Sequence, residues 1–318
     1  MIPLKSDFRS LKEINGDASF RRFYRKKNKN FSSIIVFSKK EKQKNLLVYD
    51  AINKILNKNR ILAPKLLLEN YKKNYIEVQD FGDKTIFQIL KKKKNNKFIY
   101  FKKIIKILKK LQSIKVRKIK NFQGKEYKIT KYQKEILIKE TNLFCDWYAK
   151  DKLTKKKRDI FAKKFKKITK KLILNLKLKN DVFVHRDFHV SNLMLVHNQI
   201  GLIDNQDALI GNRAYDLASL IDDVRLKTSF SFKKKIYKFY IIKQMKLDRI
   251  KFQNDFEILS ILRNLKIIGI FIRLAKRDGK KKYLKLIPYA WKLVNMRINQ
   301  NNLFNDLKDL LNQYFKSK

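Results

Sequence analysis

The sequence predicts an α+β protein in two parts, a small β-rich lobe over residues 1–82 and a larger helical lobe over residues 83–318. Three observations carry this expectation. Short segments rich in β-branched and aromatic residues crowd the first 82 positions, and apolar residues at helical spacing dominate from Lys84 onward. The helical part is interrupted chiefly once, by a loop and two short apolar runs between Val184 and Asp207. At 318 residues and 44% hydrophobic content the chain suits two lobes and a sizeable core, given a prior of about 150 residues per domain.

In the N-terminal part, residues 19–25 and 33–38 read as strands, and residues 45–56 as a helix with Leu46, Leu47, Ala51, Ile52 and Ile55 on one face. Pro64 restricts Ala63 to extended geometry and closes that helical region. Residues 65–69 and 74–79 then form two strands around the turn Asn70-Tyr71-Lys72-Lys73. Their exit, Gln79-Asp80-Phe81-Gly82-Asp83, is a hinge in which Gly82 permits a sharp change of direction. Beyond it, Ile104, Ile105, Leu108 and Leu111 mark one apolar helical face, residues 131–148 another, and residues 152–178 a third through Ile160, Phe161, Phe165, Ile168, Leu172 and Leu176. These faces read as core. Lysine runs at 91–94 and 155–157 read as solvated helix ends or loops.

Lys+Arg 79 against Asp+Glu 28 gives a net charge of +51, which in isolation points to nucleic acid or an anionic surface. The lysines are spread from Lys5 to Lys318 among Asn and Ile, as codon usage in an AT-rich genome would leave them, so no specific nucleic-acid partner is expected. One cysteine, Cys145, excludes an internal disulfide framework and a Cys-rich zinc site. No apolar leader opens the sequence and no stretch approaches the roughly 18 apolar residues of a membrane span. A cytoplasmic protein without a membrane span is the expectation; oligomeric state is left open.

The chemistry concentrates in VHRDFHVSNLMLVHNQIGLIDNQD, residues 184–207. His185-Arg186-Asp187 followed by Asn192 reproduces the H-R-D-x-x-x-x-N spacing of a kinase catalytic loop. Residues 193–196 and 200–203 are apolar runs flanking His197-Asn198-Gln199, so they pair as a hairpin that returns Asp204 beside Asn192. In that arrangement Asp187 accepts or orients the proton of an attacking hydroxyl, and Asn192 and Asp204 offer oxygen ligands to Mg²⁺ on the phosphates of ATP.

Four blocks give the chain a family resemblance: GDASFRRFYR at 16–25, HRDFHVSNLML at 185–195, LIDNQDALIGNRAYDLASLIDDVR at 202–225 and RNLKIIGIFIRLAKRDGKKKYLKLIP at 263–288. The sequence resembles the aminoglycoside phosphotransferase and choline kinase group, and within it the bacterial N-acetylmuramate/N-acetylglucosamine anomeric kinases of cell-wall recycling. The resemblance implies a two-lobed protein-kinase-like fold and ATP- and Mg²⁺-dependent phosphorylation of a small-molecule hydroxyl, a sugar in that subgroup. It implies nucleotide contacts from Gly16, Ser19 and Arg21 or Arg22 in the small lobe and from Gln79 and Phe81 at the hinge. Asp216 resembles the buried acid at a helix start that braces the catalytic loop. His189 would orient either substrate or loop, and Arg225 and Arg263 either face the sugar or pair with acids such as Asp222 and Asp223.

Departures narrow the reading. Asp204 is followed by Asn205-Gln206 rather than Phe-Gly and no A-P-E segment follows, which argues against a protein kinase. The phosphate-gripping lysine of the third strand has only Lys39 and Lys40 as candidates, with Phe37 or Ser38 nearer its place and Glu41 or Asp50 as its acidic partner. Two rivals remain: another small-molecule kinase of the same fold, acting on an aminoglycoside, a choline-like alcohol or a different sugar, and a non-catalytic protein that binds polyanions.

Overall fold

The computed structural model describes residues 11–14, 21–27, 31–92, 96–244 and 246–315. They fall into two compact units: Met1–Thr130 with Val190–Ala208, and Lys131–His189 with Leu209–Lys318. The sequence boundary between residues 82 and 83 lies inside the first of these units.

The first unit is built on a five-stranded antiparallel sheet in the order β1 (Lys12–Ile14), β2 (Arg22–Lys27), β3 (Ser32–Phe37), β5 (Tyr75–Gln79), β4 (Leu66–Asn70). The two-residue period of β3 sends Ile34 and Val36 to one face. There they join Ile76 and Val78 of β5 and Leu46 and Tyr49 of helix Lys44–Lys58 in a single apolar cluster. On the opposite face Glu77 is buried, accepting from Ser33 Oγ at 2.6 Å and Lys26 Nζ at 3.2 Å. The helix ends where Arg60 turns left-handed (φ 56°), four residues before Pro64. At the exit of β5, Asp80 accepts from Arg25 Nη2 at 3.1 Å, Ser32 Oγ at 2.8 Å and the backbone of Gly82 at 2.8 Å. Gly82 itself sits at φ 75°, a conformation open to glycine at little cost.

The unit is completed by a hairpin of strands Leu193–Val196 and Gln199–Leu202. Its turn is two residues rather than three: His197 and Asn198 both adopt positive φ, 44° and 62°, and Gln199 already pairs with Val196. Left-handed geometry at both central positions matches the twist of the flanking strands, which makes the shorter turn the favoured one. Gly201 lies against the Phe81 ring, where a Cβ would come within 2.7 Å of Cε2.

The second unit is dominated by helices. Helix Arg249–Arg277, 29 residues long, is buried along most of its length and packs with helices Lys134–Leu143, Ala214–Ile221 and Ile287–Ile298. The segment read as one helix over 131–148 is an α-helix to Leu143 continued by a π-helical stretch, Phe144–Ala149. That wider coil places Phe144 in a cluster with Tyr148, Phe161, Phe165, Trp291 and Phe315. At the crossing of the long helix with Lys134–Leu143, the backbone approach is so close that a Cβ on Gly269 would overlap the Leu143 carbonyl. Strands Asn180–Val184 and Leu209–Asn212 pair antiparallel. Their entry is pinned by buried Asp255, which accepts from the backbones of Lys177 and Leu178 at 2.8 Å each and from Asn212 Nδ2 at 2.6 Å.

Candidate active site

In the second unit, the H-R-D loop leaves strand Asn180–Val184, buried in its last three residues, at His185. Asp216, in the first turn of helix Ala214–Ile221, sends its two oxygens to the loop: Oδ2 accepts from His185 N at 2.7 Å and Oδ1 from Arg186 N at 3.0 Å. The position suits an acid, because the first turn of a helix presents its positive dipole end. Burial pushes the Asp216 carboxyl up to about 6, against the pull of His185 and the two backbone donors.

Arg186 is left-handed (φ 73°), a conformation rare for a side chain of this size. Its guanidinium is spent inside the unit: it pairs with Glu140 and lies 5.2 Å from the Tyr132 ring centre. Glu140 also takes the Tyr132 hydroxyl and Lys266 Nζ at 3.0 Å. Burial works against the charged form of Glu140, yet Lys266 and Arg186 hold it below the usual carboxylate range.

Asp187 is half-buried and its N–H donates to His185 Nδ1 at 3.3 Å. Burial disfavours its charge, but Lys266, His189, Arg263 and Arg186 outweigh it and drive the carboxyl far below its ordinary value. His189, 4% exposed, is pushed down to about 3 by burial first and then by Arg225 and Arg263, with Asp223 and Asp187 opposing. It is neutral at working pH. Arg225 lies 3.6 Å from Asp223 through Nη1, while Asp222 is taken by Arg297 at 2.9 Å, Lys233 at 3.3 Å and Ser260 at 2.5 Å. Arg263 is 5% exposed, and its Nη1 has no hydrogen-bond partner among the described residues.

In the first unit, Asn192 closes the turn Val190–Asn192, and its carbonyl accepts the N–H of Ile203 at 3.1 Å, so the hairpin returns the chain next to it. Asp204 follows in the left-handed region (φ 63°, ψ 40°) with its side chain 37% exposed. Its Oδ1 accepts from Arg21 Nη2 at 2.8 Å and from Gln206 Nε2 at 3.1 Å. The turn beyond it is fastened by buried Asn205, whose amide donates to Asn53 Oδ1 at 2.8 Å and the Leu202 carbonyl at 3.0 Å.

Of the nucleotide contacts the sequence suggested, Gly16 and Ser19 lie outside the described residues. Arg21 is on Asp204, whereas Arg22 is exposed beside Tyr24. The Phe81 ring packs on Gly201 and is nearly buried. Gln79 lies on the sheet face away from helix Lys44–Lys58, in a groove of about 710 Å³ with Lys26, Phe31, Lys65, Leu67 and Glu77. Lys39 and Lys40 are exposed after β3, Ser38 is buried with Oγ on the Lys42 carbonyl at 3.1 Å, and Asp50 pairs with Lys54 at 2.7 Å. No third-strand ion pair forms from these residues. Glu140, Lys266 and Asn45 were not singled out in the sequence. Lys266 left a readable trace, since Arg263 and Lys266 put two cations on one face of a helix whose middle is largely apolar.

Among the described residues no three His, Cys, Asp or Glu side chains gather as an all-protein metal cage. A kinase-type Mg²⁺ does not need one, because phosphates and water complete its octahedron around one or two protein oxygens. The partly exposed Asp204 carboxylate and the Asn192 amide are hard oxygen donors of the right kind.

The fold is kinase-like. It matches an aminoglycoside phosphotransferase in complex with gentamicin, 15% identical over 93% of this chain and 92% of that one, with a TM-score of 0.61. It also matches a choline/ethanolamine kinase family protein from Mesorhizobium loti, 11% identical over 98% and 96%, with a TM-score of 0.62. The sequence profile of the phosphotransferase enzyme family matches residues 10–240, and the chain belongs to that family. It is a kinase acting on a hydroxyl-bearing acceptor. Relatives named N-acetylmuramate/N-acetylglucosamine kinase include one from Neisseria meningitidis serogroup B, 28% identical over 86% of this chain and 80% of that one. Another, from Pseudomonas aeruginosa, is 26% identical over 93% and 86%.

Proposed function

We propose that this kinase transfers the γ-phosphoryl group of ATP, with Mg²⁺, to the anomeric hydroxyl of N-acetylmuramate or N-acetylglucosamine, as a cytoplasmic step of cell-wall recycling. The observation that carries the reading is the carboxylate of Asp187: ionised by four surrounding cationic or polar groups and presented by a loop whose backbone is bolted to Asp216. With its affinity for protons so low, Asp187 is a poor base before the reaction. It works by accepting a hydrogen bond from the attacking hydroxyl, aligning it, and taking the proton late, as a loose transition state requires. Asn192, five residues further along the chain, and Asp204 would hold the metal, which there would supply charge neutralisation to the phosphates. Gly16, Ser19, Arg21 and the hinge at Gln79 and Phe81 serve the nucleotide, and His189, Arg225 and Arg263 face the acceptor.

The sugar assignment rests on the relatives' names and on charge. Arg186, Arg225, Arg263 and Lys266 make the surroundings of Asp187 cationic, which repels a polycationic aminoglycoside and suits a neutral or acidic sugar. The test is a panel of amino sugars incubated with ATP and Mg²⁺, with the phosphate position read by phosphorus NMR. A 1-phosphate from N-acetylmuramate or N-acetylglucosamine is expected, and none from their methyl glycosides. Transfer to a methyl glycoside would sink the anomeric assignment while leaving the kinase intact.

A further inference from the structure

The third strand of the small sheet, SSIIVF, carries no cation, and the two lysines after it are exposed. The cation that reaches the candidate metal ligand is instead Arg21, which immediately precedes β2. It is 6% exposed, donating through Nη2 to Asp204 Oδ1 at 2.8 Å and through Nη1 to Asn45 Oδ1 at 3.1 Å. The guanidinium carbon lies 5.8 Å from the ring centres of both Phe23 and Tyr49. Helix Lys44–Lys58, from which Asn45 comes, has no acid in its first turn, and its Asp50 is already paired with Lys54. Arg21 is thus held on one side by a neutral amide and two aromatic rings, and on the other it touches an acid that a metal also needs.

We propose that Arg21 is an exchange cation: it holds the Asp204 carboxylate while no metal is bound and turns onto the triphosphate when the metal claims that carboxylate. This rests on the kinase reading above. The chemistry favours the exchange. A monovalent guanidinium and a divalent ion compete for one carboxylate, and phosphate oxygens match the planar fork of arginine at least as well as a carboxylate does. Asn45 and the rings keep the guanidinium in place during the transfer, so only the outer fork changes partner.

The test compares wild type, Arg21→Met and Arg21→Lys in two measurements besides turnover. One is Mn²⁺ binding without nucleotide, by electron paramagnetic resonance; the other is ATP binding in saturating Mg²⁺, by calorimetry, where the metal has taken Asp204 and Arg21 is released to the phosphates. Removing the competitor makes Arg21→Met bind Mn²⁺ about tenfold more tightly and ATP about tenfold to a hundredfold more weakly, the scale of a charge-assisted bond lost or released. Arg21→Lys keeps the charge, so its Mn²⁺ affinity stays near wild type while ATP weakens about tenfold through loss of the fork. Adding Asp204→Asn to Arg21→Met should abolish the gain in Mn²⁺ affinity. Unchanged or weaker Mn²⁺ binding in Arg21→Met overturns the exchange, as does wild-type ATP affinity in both variants. If the wild-type protein bound no ATP at all, the kinase reading would fall, and the Mn²⁺ comparison would still decide whether Arg21 and the metal share Asp204.

Discussion

The N–H of His185 donates to the carboxylate of Asp216 at 2.7 Å across 31 positions of sequence, and the neighbouring N–H of Arg186 takes the other oxygen. Two bonds to two oxygens fix the plane of the loop that carries Asp187. The arrangement has a cost. Burial raises the Asp216 carboxyl to about 6, so its contribution to stability is complete below the ordinary value of 3.8 and is lost as pH rises through 6. The protein keeps the charge at neutral pH because only the ionised form accepts both donors.

Asp216→Asn therefore relieves a buried charge but leaves one loop N–H facing an amide donor. The two effects oppose each other, each on the order of 1–3 kcal/mol, so thermal stability changes little while kcat falls by about a hundredfold. Parallel melting curves and turnover measurements check this. Wild-type kcat/KM should also show an acidic limb near pH 6 that the variant lacks.

Asp187→Asn keeps the shape of the side chain and removes the carboxylate proposed to align the hydroxyl and take its proton. The expected result is a fall in kcat of ~10² or more, with nucleotide affinity near wild type. A variant with nearly normal kcat would show that another group does this work. Because the Asp187 carboxyl lies so far below its ordinary value, its charge persists until the solution is well under pH 3.8, and it contributes no limb to the neutral pH profile.

Asp204→Ala deletes the carboxylate assigned to the metal. Turnover should vanish, and ATP binding should weaken mainly when Mg²⁺ is present, because the lost group acts through the ion. Calorimetric titrations with Mg²⁺ and with EDTA separate this from general damage, which would weaken both equally.

His189 supplies a pH-dependent term of opposite sign to Asp216. Its value is lowered from 6.5 to about 3, so its contribution is full above 6.5 and is lost as pH falls through that window toward 3. Between pH 7 and pH 5 the unfolded chain gains most of a proton that the folded chain refuses, worth about 2 kcal/mol. His189→Gln should lose about that much less stability on acidification. Denaturant titrations at the two pH values read the difference directly; equal losses in both proteins would remove His189 from the acid response.

Much of this was legible in the chain because it rests on short-range pattern. Strands at 33–38, 65–69 and 74–79 were found within a residue or so of β3, β4 and β5, and the helix at 45–56 within two residues of its ends. Alternation and helical spacing are local properties. The H-R-D loop and its returning hairpin were readable for the same reason. Pairing across long separations left no such mark. Arg21 meets Asp204 over 183 positions and Glu140 meets Arg186 over 46, and nothing in the residues between them dictates the encounter. The third strand offered only Lys39 and Lys40 at its end, both exposed, whereas Arg21, before the adjacent strand, reaches Asp204, a contact no local pattern announces. The π-helical stretch at Phe144–Ala149 was likewise invisible, since its apolar residues fit an ordinary helix until the aromatic cluster is assembled around them.

Gly269 lies one turn beyond Lys266 on the long helix, and Leu143, which it touches, lies one turn beyond Glu140 on the other. The distance between those two helices at one level sets whether a lysine can reach a glutamate at the next, and that glutamate also anchors Arg186. Any larger side chain at 269 would act as a wedge, moving a charge away from Asp187 without touching the loop that carries it. The acidity of the candidate base is thus tuned from a distance by the one position on that helix where a hydrogen stands in place of a carbon.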